Sequence, residues 1–122
     1  MDAKDTANIG LSEDMHAKLK QMADDGVFSD MKDGYRLAAS IAIRDKLDVK
    51  DRVLTSRKNM YDVGGVDEDN IYKNSISVIF PDQVGQEYKY LEKLADAGME
   101  LIYSAYESTG SFDVISILND DA

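Results

Sequence analysis

The chain has 122 residues, of which 43% are hydrophobic and 31% charged, with a single proline and no cysteine. That is room for one globular domain, and it excludes disulfides, thiol nucleophiles and thiolate metal sites together. The 24 acidic against 14 basic residues leave a formal charge of −10, which opposes non-specific attraction to nucleic-acid phosphates and to anionic membranes.

Residues 1–7 are polar. Asn8, Ile9, Gly10 and Leu11 predict a very short strand, because Ile9 and Leu11 alternate with small or polar positions. Ser12 then offers an N-cap, Glu13 and Asp14 fill a first turn, and Met15, Leu19, Met22 and Ala23 recur at helical spacing, so a helix is expected over 13–25, closed by Gly26. Val27 and Phe28 supply the apolar residues of a tight turn. A second helix follows within 28–47, with Ser29 as its expected N-cap and Asp30 and Asp33 near the positive end of the dipole. Its apolar surface is unusually wide: Met31, Tyr35, Ala38 and Ala42 form one stripe, flanked by Leu37, Ile41 and Ile43. A surface helix needs only one apolar face. The surplus predicts either the central helix of the domain or a face shared with a second copy of the chain, in which case Met31, Tyr35, Ala38, Ile41 and Ala42 are the self-association residues.

Residues 48–66 read as a connector that is long enough to be functional or mobile. It carries the only locally basic cluster, Arg52, Arg57 and Lys58, and ends at the flexible pair Gly64 and Gly65. Asp67 is the next expected N-cap, with Asn70 in the position a capping box uses. Ile71, Tyr72, Ile76, Ile79 and Phe80 fit a helix, a reading preferred to a strand over 75–80. Pro81 ends that element, and a further helix is expected from Asp82 through the stripe Val84, Tyr88, Leu91, Leu94 and Ala95. Gly98 is either its C-cap or a close-packing site. The helical pattern resumes over 99–107, and 112–118 forms a last short helix or strand. The expectation is a mainly α fold of four to five helices with at most one short strand, in one domain over 1–122: a first half 1–47, a connector 48–66 and a helical half 67–122.

The N-terminal MDAKDTANIG has no apolar core, and no run approaches the roughly 18 apolar residues of a spanning helix, so a soluble cytoplasmic protein is expected. The single histidine, His16, has no nucleophile-elbow sequence to serve. The segment DVGGVDEDN lacks the order of a calcium loop, and Gly64 and Gly65 lead into acids that repel phosphate. No catalytic, cofactor or metal site is therefore expected, and the chain reads as a non-enzyme. Asn8, Arg52, Arg57 and Lys58 are the candidates for contact with nucleic acid or a partner.

Strand, helix, tight turn and helix over 9–47 resemble the ribbon-helix-helix layout, in which two chains pair their strands and wrap their second helices together. Proteins of that type read the major groove from polar strand residues. Here the strand offers Asn8 and no arginine or lysine. A second resemblance covers most of the chain: GVFSDMKDGYRLAASIAIRDK, with Phe28, Met31, Lys32 and Asp33, and the later YLEKLADAGMELIYSAY, with Ala95, Gly98 and Leu101, are similar to small accessory proteins encoded beside Dnd DNA-phosphorothioation systems. That resemblance implies an accessory role in a prokaryotic DNA-modification or defence locus and brings no catalytic residues. The expected function is a non-catalytic adaptor that self-associates as a dimer or higher and docks on a larger nucleic-acid-processing protein. The alternative is a ribbon-helix-helix transcriptional regulator or antitoxin that binds DNA.

Overall fold

A computed structural model describes residues 5–109. The elements are β1 (Asn8–Leu11), α1 (Glu13–Asp24), α2 (Met31–Arg44), β2 (Lys58–Asp62), α3 (Val63–Val66), α4 (Ile71–Ile79), a 3-10 turn (Pro81–Gln83) and α5 (Glu87–Thr109). The fold is mainly helical, as expected, but the basic connector contributes a second strand, and β1 and β2 pair antiparallel within the one chain. The segment expected at 112–118 lies outside the described residues.

Local chemistry sets most boundaries. Ser12 accepts from Met15 N at 3.3 Å and starts α1, which buries Met15, Leu19 and Met22 at helical spacing. Gly26 ends it with φ +84°: its N–H donates to Ala23 O and that of Val27 to Met22 O, the two bonds of a left-handed C-terminal cap. At the start of α2 the cap is Asp30, which accepts from Asp33 N, and not Ser29, whose hydroxyl donates to the Asp33 carboxylate at 2.7 Å. α2 closes with the same two-bond pattern around Lys46, a non-glycine residue held at φ +52°.

The cap of α4 is displaced too. Asn70 stands at the N-cap position with φ +59° and makes no side-chain bond to the helix, while Asp67 reaches over it to accept from Tyr72 N at 2.9 Å and Lys73 N at 3.0 Å. Helix, not strand, is the structure of 71–79. Beyond the 3-10 turn, α5 begins at Glu87 rather than Asp82 and runs unbroken through Gly98. Its first turn is capped from far away in sequence: the Asp5 carboxylate accepts from Tyr88 N at 2.8 Å and Lys89 N at 2.9 Å.

The centre of the domain is α5, not the helix within 28–47. Leu91, Leu94, Ala95, Met99 and Ile102 are essentially inaccessible, and α5 packs against β1, α1, α2 and α4. Its main partner is α2. At Gly98 a Cβ would stand 2.0 Å from Ala38 O, so the two helices cross with backbone against backbone, which settles Gly98 as a close-packing site. The wide apolar face of α2 is consumed by this crossing: Tyr35, Ala38 and Ala42 are 0% exposed and Ile41 4% without any second chain, and Met31 is half-buried against the same core. The surface assigned from sequence to self-association is thus interior, a correction whose cause is α5, an equally apolar helix from the other half of the chain.

Candidate functional site

One face of α5 carries Glu92, Asp96 and Glu100 four residues apart, a carboxylate ladder that meets both β1 and the basic connector. Helix residues four apart rise about 6 Å, and alternate strand residues are spaced about 7 Å, so such a ladder can follow one edge of a strand. It does: Gly10 N donates to Glu92 Oε1 at 3.0 Å, and Ser12 N donates to Asp96 Oδ1 at 2.8 Å. The Ser12 hydroxyl adds a 3.0 Å bond to the same Asp96 oxygen. Asp96 is 2% exposed, and these bonds satisfy a charge that burial would otherwise penalise heavily.

The arginines close the ladder from outside. Arg52 donates from Nε to Asp96 Oδ2 at 2.9 Å and from Nη2 to Glu100 Oε1 at 3.2 Å. Arg57 shares its Nε–H between the two Glu92 carboxylate oxygens at 2.8 and 3.0 Å and donates from Nη2 to Asn8 O at 3.0 Å and Asn59 Oδ1 at 3.3 Å. The connector is consequently fastened to α5 through Arg52 and Arg57, with Lys93 Nζ on Lys50 O as a further tie, and to the start of α1 through Glu13 N on Thr55 O.

Two shallow concavities flank Arg52. One, of about 550 Å3, is lined by Ser12, Glu13, Asp14, Arg52, Asp96 and Glu100 among others. The other, of about 460 Å3, has Thr6, Arg52, Arg57, Lys89, Glu92 and Lys93 on its walls. Of the residues expected to contact nucleic acid or a partner, Arg52 and Arg57 share this second groove, where Lys89 and Lys93 join them. Lys58 and Asn8 do not line it: Lys58 is exposed on β2, and Asn8 contributes its backbone carbonyl to Arg57. Lys89 and Lys93 escaped the sequence reading because their signal is split between distant segments. For the ladder a signal was present in the run Leu94-Ala95-Asp96-Ala97-Gly98-Met99, where one acid interrupts an apolar stretch.

Both edges of β1 are occupied inside the chain. β2 takes one, with Ile9 opposite Tyr61 and Leu11 opposite Lys58. On the other, Gly10 N and Ser12 N are held by the ladder, and Tyr35 Oη donates to Gly10 O at 3.0 Å. Burial, with the nearby Glu92 charge adding to it, pushes the Tyr35 phenol well above its ordinary pKa. The strand pairing between two chains that a ribbon-helix-helix dimer requires finds no free edge here.

For reaction chemistry the cluster offers little unspent. The Ser12 hydroxyl both donates to Asp96 and accepts from Met15 N. The His16 side chain makes no hydrogen bond among the described residues, and its backbone N–H donates to Ser12 O at 2.9 Å as part of α1. No group of three His, Asp or Glu side chains among the described residues is arranged to hold a metal ion, and no helix among them is long and apolar enough to cross a membrane. No protein-family model, curated protein or solved structure matches the chain.

Proposed function

We propose that this protein is a non-catalytic accessory protein that docks on a larger nucleic-acid-processing partner in a prokaryotic DNA-modification or defence system. The observation that carries this reading is the internal neutralisation of Arg52 and Arg57 by Glu92, Asp96 and Glu100. Guanidinium groups free to grip phosphates are the usual source of affinity for nucleic acid. Here they fasten the connector, in a chain of net charge −10. The sequence resemblance to Dnd-associated accessory proteins points to the same setting. Purification of the tagged chain from its native host with nuclease treatment tests the reading: a stoichiometric nucleic-acid-processing protein is expected to co-purify, and elution of the chain alone overturns it.

A second reading, direct DNA binding, is favoured by the convergence of Arg52, Arg57, Lys89 and Lys93 on one groove with Glu92 as its one acidic lining residue. Fluorescence anisotropy with a labelled duplex at low and physiological salt separates the two. Binding that survives physiological salt and disappears in a Lys89→Ala, Lys93→Ala variant favours direct contact; no binding favours the accessory role.

A further inference from the structure

α4 has two apolar sides. Ile76 is fully buried, with Tyr72 and Ile79 half-buried beside it against the core. On the outer side Ile71 is 63% exposed and Val78 80%. At 100° per residue these two, seven positions apart, fall within about 20° of each other, so they form one stripe over two turns. Asn74 and Ser75 lie alongside, and no charged residue falls on this side of the helix. Lys73, the only ionic side chain of α4, lies on another side within electrostatic reach of Glu87. Isolated exposed aliphatics are ordinary, but a charge-free aliphatic stripe on an otherwise highly charged protein is not.

The ends of the stripe are acidic. Glu68 and Asp69 are exposed immediately before α4, and Asp82 is exposed just after it. At the first end the stripe opens into a groove of about 340 Å3, where Ile71 meets Glu68, Asp69, the half-buried Arg36 and Tyr72, and the exposed Ser40. The one cation there, Arg36, donates to Gly65 O at 3.2 Å.

We infer that the outer face of α4 is the docking surface for a basic amphipathic segment of a protein partner, one that lays an apolar stripe on Ile71 and Val78 and sets lysine or arginine against Glu68, Asp69 and Asp82. A second copy of this chain fits poorly, since pairing two α4 faces antiparallel brings Glu68 and Asp69 of each against Asp82 of the other. The aliphatic stripe supplies affinity by burial, and the terminal carboxylates set the sign of the partner's charge. This inference rests on the docking role proposed above and names its surface.

The test uses the full chain and a synthetic helical peptide of leucine and lysine with an amphipathic order, beside a scrambled peptide of the same composition. The amphipathic peptide is expected to shift the amide resonances of Ile71, Asn74 and Val78, and an Ile71→Ser, Val78→Ser variant is expected to bind it about tenfold more weakly, with thermal unfolding unchanged because both side chains face solvent. Equal binding of the two peptides, or shifts that map to another face, overturns the inference. So does a dimer in light scattering that the double variant dissolves, which would make a second copy the occupant. Against the co-purified native partner, loss of the complex in the same variant supports this surface. Retention of the complex overturns it while leaving the accessory role standing, and absence of any partner fails that role alone.

Discussion

Ser12 and Asp96 stand 84 positions apart in sequence and are joined twice, the serine donating to one carboxylate oxygen from its N–H at 2.8 Å and from its hydroxyl at 3.0 Å. One residue thereby starts α1, ends β1 and locks both to the central helix. The other Asp96 oxygen holds Arg52.

Asp96→Ala leaves both Ser12 donors and Arg52 Nε without their acceptor, and is expected to cost about 2–4 kcal/mol. Ser12→Ala removes the cap and one of the donors and costs about 1 kcal/mol. In urea unfolding the double variant should lose less than the sum of the two, because the residues share one interaction. Strict additivity would show that the pair is not energetically coupled.

The crossing of α2 and α5 depends on Gly98. A Gly98→Ala side chain meets the Ala38 carbonyl and must push the helices apart, with an expected loss of about 2–3 kcal/mol even though alanine favours helix. Gly64→Ala is the control: nothing lies within 4 Å of its Cβ, and a gain of a few tenths of a kcal/mol is expected. Similar behaviour of the two variants by calorimetry would refute the tight crossing.

Lys46 holds a left-handed conformation at the end of α2, and its exposed side chain makes no hydrogen bond or ion pair among the described residues. Lys46→Gly is expected to raise stability by about 0.5–1 kcal/mol, since the conformation costs glycine little. A destabilised variant would mean that the lysine contributes something beyond its backbone.

Burial pushes the phenols of Tyr35 and Tyr88 up, and for Tyr88 the bond it donates to Asp67 at 2.8 Å adds to the effect. The unfolded chain releases these protons near the ordinary tyrosine pKa of about 10, while the native chain retains them. The native state therefore binds more protons above that pH, and stability falls as pH rises through it, by up to about 1.4 kcal/mol per pH unit for each phenol. Urea midpoints measured from about pH 9 to 11 should fall, and Tyr35→Phe or Tyr88→Phe should flatten the slope. An unaltered slope in both variants would assign the alkaline loss elsewhere.

Elements with a local cause were legible in the sequence. α1 was found from its Ser12 cap, its periodicity and Gly26, and the helix over 71–79 from its spacing. The cap of α2 is Asp30, one residue after the expected Ser29, whereas at α4 the expected Asp67 does supply the capping carboxylate, reaching from three residues ahead of the N-cap position that Asn70 occupies. What could not be read was long range. The apolar excess of α2 is the same in sequence whether a second chain or α5 covers it, and the helical pattern broken by Gly98 looks the same whether the glycine ends a helix or admits a neighbour. Likewise, Arg52 and Arg57 form a basic cluster in sequence, and only the fold brings Glu92, Asp96 and Glu100 against them.

The bonds from residues 5, 10 and 12 to residues 88, 92 and 96 bear on how the chain is made. During synthesis the N-terminal half leaves the ribosome long before α5 exists, so β1 lacks its acceptors and α2 lacks the surface that covers it. Local turns such as α1 can form early, but the long-range contacts must wait and then close a loop of more than eighty residues, a topology that slows folding. A nascent chain arrested before residue 87 should remain protease-sensitive throughout, with protection arriving in one step once α5 has emerged.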